Sequence, residues 1–355
     1  MSMTVKKDNA LIGFTIIFTM FAVGIYYLLP IIYVNPYEYL YGRELRSFQL
    51  YHLIFSGVMI PLLSLVTGLI ISRQEYDKVT VLKRLSLVFL VLLGCSVLFN
   101  GFIILFVIPL SGMVVLFFRE NSLIISLITA VILLILYLVV WTIIPALTSV
   151  STNDIIYSSI QQLNNYLGVY REKDIISMIE LNVSSIRAMD FFSLFMFVSL
   201  PLTFIGSILG RIDIEKYFKT KGFILTLVVL TSALFIKMIE VLSLGSRSGK
   251  LIGENIGGMM LGFALFLTII LLVEQAPKFA TLLFEIPGKY VLFLFIVFNF
   301  LMSIIFYGIG FNYYGEVTVA TLVLIIFIIL IVLYALMHIL NKFNITLLEI
   351  FKNKR

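Results

Sequence analysis

The chain has 355 residues, of which 61% are hydrophobic and only 12% are charged, and its formal net charge is +6. Soluble domains carry about 25% charged residues, so this chain has too few charges to cover a surface that faces water. The composition excludes a soluble enzyme, a secreted disulfide scaffold and a disordered chain. It predicts an all-α, polytopic membrane helix bundle, since backbone groups in lipid must pair within helices.

Ten apolar runs are candidates to cross the bilayer, which takes about 20 residues per helix. The predicted membrane helices are Ala10–Tyr33, Tyr51–Ser72, Leu85–Phe99, Phe102–Phe118, Leu123–Leu147, Phe191–Gly210, Phe223–Leu244, Gly257–Val273, Tyr290–Gly310 and Val317–Leu340. Only Asn100–Gly101 separates the third run from the fourth, which predicts a tight helical hairpin. The first run is too long for a cleaved signal peptide, so we expect it to remain as an anchor.

The distribution of Lys and Arg predicts the orientation, because cytoplasmic loops retain positive charge. With the N-terminus inside, the inner segments hold 17 of the 25 basic residues and the outer segments hold 7. We therefore expect both chain ends in the cytoplasm.

A single transmembrane domain is predicted over residues 1–355, and its longest connection is residues 151–190. Two amphipathic stretches in this connection, DIIYSSIQQL and DIISMIELNV, are typical of helices that lie at the membrane interface. We interpret residues 151–190 as an outer-face loop between two five-helix halves.

Lys237 and Glu240 are three residues apart within the seventh predicted helix, on one face, where an ion pair forms easily. Arg247, Glu254 and Asn255 follow, so several polar groups converge on the outer side. Two interpretations remain open: an interfacial pair whose ends reach water, and a functional polar cavity, since charges inside a membrane usually face a bundle interior.

Tyrosines are frequent near the outer ends of the first and ninth predicted helices. They include Tyr26, Tyr27, Tyr33, Tyr37, Tyr39, Tyr41, Tyr51, Tyr307, Tyr313 and Tyr314. An aromatic belt at the headgroup level explains such residues. The alternative is an aromatic vestibule that binds an amphipathic molecule, with Tyr307 and Tyr313 as binding residues.

His52 is the weak candidate for a catalytic residue, as a general base paired with Glu38 or Glu44; the alternative is a hydrated interfacial histidine. His338, the other histidine, is predicted on the opposite side, so the two cannot share a metal ion. GSRSGK at Gly245–Lys250 lacks the spacing of a phosphate loop. The sequence therefore predicts no metal, no cofactor and no nucleotide.

Pairs of glycines four residues apart predict close helix packing rather than a ligand site. These pairs are Gly206/Gly210, Gly253/Gly257 and Gly258/Gly262. Asn299, midway along the ninth predicted helix, is expected to make an interhelical hydrogen bond, with a substrate contact as the alternative.

The C-terminal third carries the motifs PGKY at Pro287–Tyr290, FYGIGFNYYG at Phe306–Gly315 and NKFNITLLEIF at Asn341–Phe351. In order and spacing they resemble the YeiB-like family of bacterial multi-pass membrane proteins, a domain of unknown function placed near the membrane acyltransferases. The matching residues are Gly288, Lys289, Phe306, Tyr307, Gly308, Gly310, Phe343, Leu348 and Glu349. Weaker similarity extends over nearly the whole chain.

The chain departs from this family at polar positions. An Asn and a Gln that the family has early in the ninth helix fall on Leu294 and Phe298 here, and an acidic residue after the third helix falls on Phe102 or Ile103. These departures remove candidate machinery for acyl transfer, so the sequence favours a role without catalysis.

Three functions are therefore considered. The favoured one is a bacterial cytoplasmic-membrane protein that binds or transports a small amphipathic or lipid-like compound through Lys237, Glu240, Arg247, Asn299 and the outer tyrosines. The alternatives are an acyltransferase-like enzyme that uses His52, and a membrane scaffold or subunit without a ligand. Membrane lipids are the expected partners, nucleic acid is not, and the oligomeric state stays open.

Overall fold

The computed structural model describes residues 3–24, 27, 42–73, 77–101, 104–147, 167–186, 188–212, 214–242, 249, 251–314 and 316–343. Across these residues the chain is helical and contains no strand. The α-helices are α1 (Met3–Gly24), α2 (Gly42–Phe55), α3 (Met59–Arg73), α4 (Lys78–Leu98), α5 (Val107–Phe117), α6 (Leu123–Tyr137), α7 (Ile144–Leu147), α8 (Ile175–Ser185), α9 (Ala188–Ser193), α10 (Leu200–Arg211), α11 (Ile214–Leu242), α12 (Gly258–Gln275), α13 (Pro277–Lys289), α14 (Val291–Phe306) and α15 (Val319–Lys342). Three π-helical segments, Leu138–Ile143, Leu194–Ser199 and Ile252–Gly257, continue into α7, α10 and α12.

Within the described residues, eight helices are long and apolar enough to cross a membrane. A ninth crossing exists if α13 and α14 are one span, broken by a bend of 71° next to Tyr290. The chain is thus a multi-pass helix bundle, as its composition predicts, with fewer full-length spans than the ten expected.

The fourth predicted span is the main difference. It is α5, which has only 11 residues. Pro109 lacks an amide hydrogen and fits best in the first turn of a helix, which agrees with the start of α5 at Val107 rather than at Phe102. α4 and α5 are antiparallel neighbours, because Lys78 Nζ at the start of α4 lies 2.8 Å from Glu120 Oε1 just after α5. The connection between them is longer than the predicted Asn100–Gly101, since α4 ends at Leu98 and α5 starts at Val107.

The second predicted span is divided into α2 and α3. Gly57, between them, has φ +69°, a conformation that L side chains rarely adopt. A Cβ atom added there would lie 2.2 Å from the carbonyl oxygen of Glu254. The glycine therefore allows a tight turn to pack directly against the Ile252–Gly257 segment.

Ion pairs and a hydrogen bond connect several helix ends at one end of the bundle, which we call the Asp8 end. Lys7 Nζ lies 2.6 Å from Glu274 Oε1, and Arg73 Nη1 lies 3.1 Å from Asp8 Oδ1. Arg211, at the end of α10, donates to the carbonyl oxygen of Asn121 at 2.9 Å. The distribution of Lys and Arg predicts that these helix ends lie in the cytoplasm.

Close backbone contacts hold the bundle together where glycines face a neighbouring helix. A Cβ atom at Gly68 would lie 2.0 Å from the carbonyl oxygen of Thr203, and one at Gly206 would lie 2.1 Å from that of Leu65. These two positions pack α3 against α10 as the glycine spacing predicts. In contrast, α6 and α15 expose many large apolar side chains, as expected for helices that face lipid.

The 151–190 segment is described from residue 167 onward, and DIIYSSIQQL lies outside the described residues. DIISMIELNV forms α8. Asp174 caps this helix: it accepts hydrogen bonds from the Ser177 hydroxyl at 2.6 Å and the Ile176 amide at 3.0 Å, which hold the pKa of its carboxyl below the ordinary value. Asn182 fixes the other end of α8 by donating to the carbonyl oxygen of Val97.

Candidate functional site

A chain of three polar side chains links α2 to α11. Lys237 Nζ lies 2.7 Å from Glu240 Oε2, and Glu240 Oε1 lies 3.1 Å from His52 Nδ1. Lys237 also donates a hydrogen bond of 3.2 Å to the carbonyl oxygen of Ser56. The ammonium, the carboxylate and the imidazole thus form one network, which we call the Lys237–Glu240–His52 triad.

The ion pair of the triad is buried, and His52 is partly exposed. Lys237 is 0% exposed and Glu240 is 6% exposed. The interfacial interpretation requires the ammonium to reach water, whereas in the structure it does not. Burying an ion costs several kcal/mol unless its partners compensate. Here the carboxylate and a backbone carbonyl both accept from Lys237, and the two opposite charges offset each other.

Small residues in the Ile252–Gly257 segment make room for this pair. A Cβ atom at Gly253 would lie 2.3 Å from the Cβ atom of Glu240, and one at Gly257 would lie 2.9 Å from Cδ of Lys237. The spacing of these glycines predicts close packing, and the structure shows that they pack against the ionic pair.

The partner of His52 was not expected. The sequence suggests Glu38 or Glu44, but Glu38 lies outside the described residues and Glu44 lies in the first turn of α2, whereas His52 lies in the last turn. The imidazole contacts Glu240, which is 188 residues away in the sequence. No local pattern signals a contact of this range, because it depends on how α2 and α11 pack.

His52 lines a cavity of about 240 Å³, which we call the His52 cavity. The polar residues around it are Tyr51, His52, Ser56, Tyr137, Glu254 and Asn255. Its apolar wall includes Ile60, Ile104, Leu194, Val198 and Met259. One side can therefore bind a polar group, while the other can bind an apolar group.

All three π-helical segments meet at this cavity. Glu254 and Asn255 come from Ile252–Gly257, Leu194 and Val198 come from Leu194–Ser199, and Tyr137 immediately precedes Leu138–Ile143. Asn255 also donates to Thr142 Oγ1 at 3.2 Å, which links two of these segments. Single π-helical turns are rare and frequently occur at functional sites.

Glu254 places a carboxylate on the cavity wall, whereas Lys237 and Glu240 are not among the residues that line the cavity. None of the basic side chains in the described part of the chain forms an ion pair with Glu254. Among the described lining residues, Glu254 is therefore the only carboxylate.

The other predicted binding residues lie elsewhere. Asn299 accepts a hydrogen bond of 2.9 Å from the hydroxyl of Tyr27, which lies beyond the end of α1, whereas the sequence predicts an interhelical bond. The ring of Tyr307 is fully buried and stacks on Tyr170 at 4.5 Å between centroids. Tyr313 is 47% exposed. None of the three lines the His52 cavity, and Arg247 lies outside the described residues.

Among the described residues, no group of three His, Cys, Asp or Glu side chains is placed to hold a metal ion. A second cavity, of about 120 Å³, lies toward the Asp8 end and is almost wholly apolar apart from Thr15, Thr67 and Arg84.

Comparison with known families gives a partial match. Residues 209–345 match the family described as protein of unknown function (DUF418). This range contains Lys237, Glu240 and Glu254, whereas His52 lies outside it. No curated protein and no solved structure matches the chain significantly.

Proposed function

We propose that this multi-pass membrane protein binds a small amphipathic or lipid-like compound in the His52 cavity. The observation that carries the proposal is a cavity lined by polar and apolar residues, next to a triad whose Lys237 and Glu240 are buried. Ligand sites are concave and mostly apolar, with a few polar groups that orient the ligand. The His52 cavity has this composition.

The depth of the cavity supports a role for its charges. α3 runs for 15 residues from the cavity to Arg73 at the Asp8 end, which is about 22 Å at about 1.5 Å per residue. The hydrocarbon core is about 30 Å thick, so His52, Glu240 and Glu254 lie at membrane depth. Ionisable residues there are expensive and usually mark a pathway or a binding site.

Transport of the bound compound is a further part of the proposal. A passage to the other side requires the Asp8 end to open, where Lys7–Glu274 and Arg73–Asp8 connect α1 to α12 and α3. The π-helical turns around the cavity provide backbone positions at which helices α10 and α12 can shift.

Acyl transfer at the same cavity is the second candidate, and the contact between His52 and Glu240 favours it. A base that is oriented by a third group is typical of nucleophilic and general-base catalysis. The resemblance to the YeiB-like family, near the membrane acyltransferases, agrees with this candidate. Leu294 and Phe298, at positions where that family has polar residues, argue against it.

The same proposal includes the location and orientation of the chain. We place it in the bacterial cytoplasmic membrane, with both ends in the cytoplasm and membrane lipids around α6 and α15. The resemblance and the distribution of Lys and Arg support this placement.

The test compares the small molecules that stay bound to the purified wild type and to two variants. Native mass spectrometry of protein released from detergent micelles should detect a bound small molecule on the wild type, and Met259→Trp should lose it because the indole fills the cavity. Met238→Trp is the matched control, since Met238 lies on α11 and is 45% exposed. Equal retention by both variants would show that the compound binds elsewhere.

His52→Ala separates binding from chemistry. Loss of a general base lowers a rate by about 10²–10⁴-fold, whereas a cavity that only binds keeps most of its lining residues when one side chain is shortened. We expect His52→Ala to retain the bound compound and the cellular phenotype. A variant of normal abundance that retains the compound unconverted and lacks the phenotype would favour acyl transfer.

A further inference from the structure

We infer that the His52 cavity selects an organic cation, specifically a small amine or quaternary ammonium compound with a short apolar chain. This inference rests on the proposed binding function and assigns the chemical class of its ligand. Two independent features of the cavity wall carry it: a carboxylate that is not used by the triad, and aromatic rings next to it.

The carboxylate is Glu254. Within the described residues, it is the only acidic side chain that lines the cavity, and no Lys or Arg lines it. The neighbouring Lys237 and Glu240 lie 2.7 Å apart and offset each other. Glu254 has no such basic partner in the described part of the chain. An anionic ligand would meet this carboxylate at membrane depth, where like charges repel strongly, whereas a cation would be stabilised by it.

The aromatic rings are those of Tyr51, Phe55 and Tyr137, which all line the cavity. The centroids of Tyr51 and Phe55 are 4.7 Å apart, so their rings form one continuous wall. The faces of aromatic rings attract ammonium groups, and aromatic cages are used to recognise quaternary ammonium ligands. Glu254 and these rings therefore favour the same class of ligand.

The volume and the apolar wall limit the size of the ligand. About 240 Å³ is less than the roughly 300–1,000 Å³ of pockets that hold drug-sized molecules. The cavity therefore fits an ammonium group with a short chain, which contacts Ile60, Leu194 and Val198.

The test uses the full-length protein, purified in an uncharged detergent, and four compounds of equal chain length. They are hexyltrimethylammonium, hexylamine, hexanol and hexanoate, and their dissociation constants are measured by calorimetry and by thermal stabilisation. We expect saturable binding of both cations, weaker binding of hexanol and no binding of hexanoate. Tighter binding of hexanol or hexanoate than of the cations would overturn the inference.

Glu254→Gln removes the charge and keeps the shape of the side chain. Both cations lose a charge–charge attraction to the neutral amide, so we expect the affinity for each to fall by about 10- to 100-fold. Glu180→Gln is the matched control, because Glu180 is exposed on α8. Unchanged cation affinity in Glu254→Gln would overturn the inference.

Phe55→Leu provides a second test that leaves every charge in place. Loss of a desolvated cation–π contact should weaken the binding of hexyltrimethylammonium by about 5- to 30-fold and leave hexanol unaffected. An equal loss of affinity for hexyltrimethylammonium and for hexanol would overturn the aromatic part of the inference.

A further outcome separates this inference from the proposed function. If hexanol binds best and Met259→Trp abolishes its binding, a cationic ligand is excluded while the proposed binding function stands.

Discussion

Replacement of Glu240 by Ala tests the burial of the triad. Lys237 is 0% exposed, and its closest described partner is Glu240 Oε2 at 2.7 Å. Removal of one partner from a buried ion pair leaves an uncompensated charge and costs about 3–5 kcal/mol. We therefore expect the equilibrium constant for unfolding to rise by more than about 100-fold.

The assay is equilibrium unfolding of the purified protein in mixed micelles, with abundance in membranes as a second readout. Glu316→Ala is the control, because its ion pair with Arg171 is 3.5 Å long with both side chains exposed. Such exposed pairs contribute about 0–1 kcal/mol. A loss below about 1 kcal/mol in Glu240→Ala would refute the burial of the pair.

The double variant Lys237→Met/Glu240→Gln distinguishes structure from function. Replacement of both members of a buried ion pair by uncharged residues is often neutral or stabilising, so we expect most of the lost stability to return. If the stability returns while the bound compound is absent, the pair contributes to binding. If both the stability and the bound compound return, the pair has a structural role alone.

Three further predictions concern the fold. Gly57→Ala should lower stability by at least about 1–2 kcal/mol, because it forces a left-handed conformation on alanine. Gly94→Ala, inside α4 and with nothing within 4 Å of its Cβ position, should not lower the thermal stability, since alanine is the better helix former. On a Cys95→Ala background, an impermeant maleimide should label Asp174→Cys in intact cells and Asp77→Cys only after permeabilisation; the opposite pattern would reverse the orientation. Asp174→Ala should speed amide hydrogen exchange in the first turn of α8, and Asp174→Asn should not. The pKa of Asp174 is lowered in the fold, so its carboxylate form stabilises the fold above the ordinary pKa, and this contribution is lost as the pH falls through the folded pKa. Protection of the first-turn amides, relative to the unfolded chain at the same pH, that is equal above the ordinary pKa and below the folded pKa would contradict the cap.

Hydropathy predicts most of the bundle because the membrane imposes one simple requirement, about 20 apolar residues per crossing. It does not predict where a helix breaks inside an apolar run. The division at Gly57, the late start of α5 before Pro109 and the 71° bend next to Tyr290 all depend on single residues. Mean hydropathy averages over such residues.

The site was predicted only where its residues are close in the sequence. Lys237 and Glu240 are three residues apart, and helical geometry alone brings them together. The contact of His52 with Glu240 and the convergence of three π-helical segments depend on tertiary packing. Tyr307 and Tyr313 share a predicted side of the membrane with the cavity, but residues on the same side need not share a site.

Photo-crosslinking tests most directly the claim that the His52 cavity binds a small amphipathic compound. A hexylamine analogue that carries a diazirine is photolysed with the purified protein, and the modified peptides are identified by mass spectrometry. We predict adducts in residues 51–61 and in Ile252–Gly257, which an excess of hexyltrimethylammonium suppresses. Adducts confined to the lipid-facing side chains of α6 and α15, unaffected by the competitor, would contradict the account.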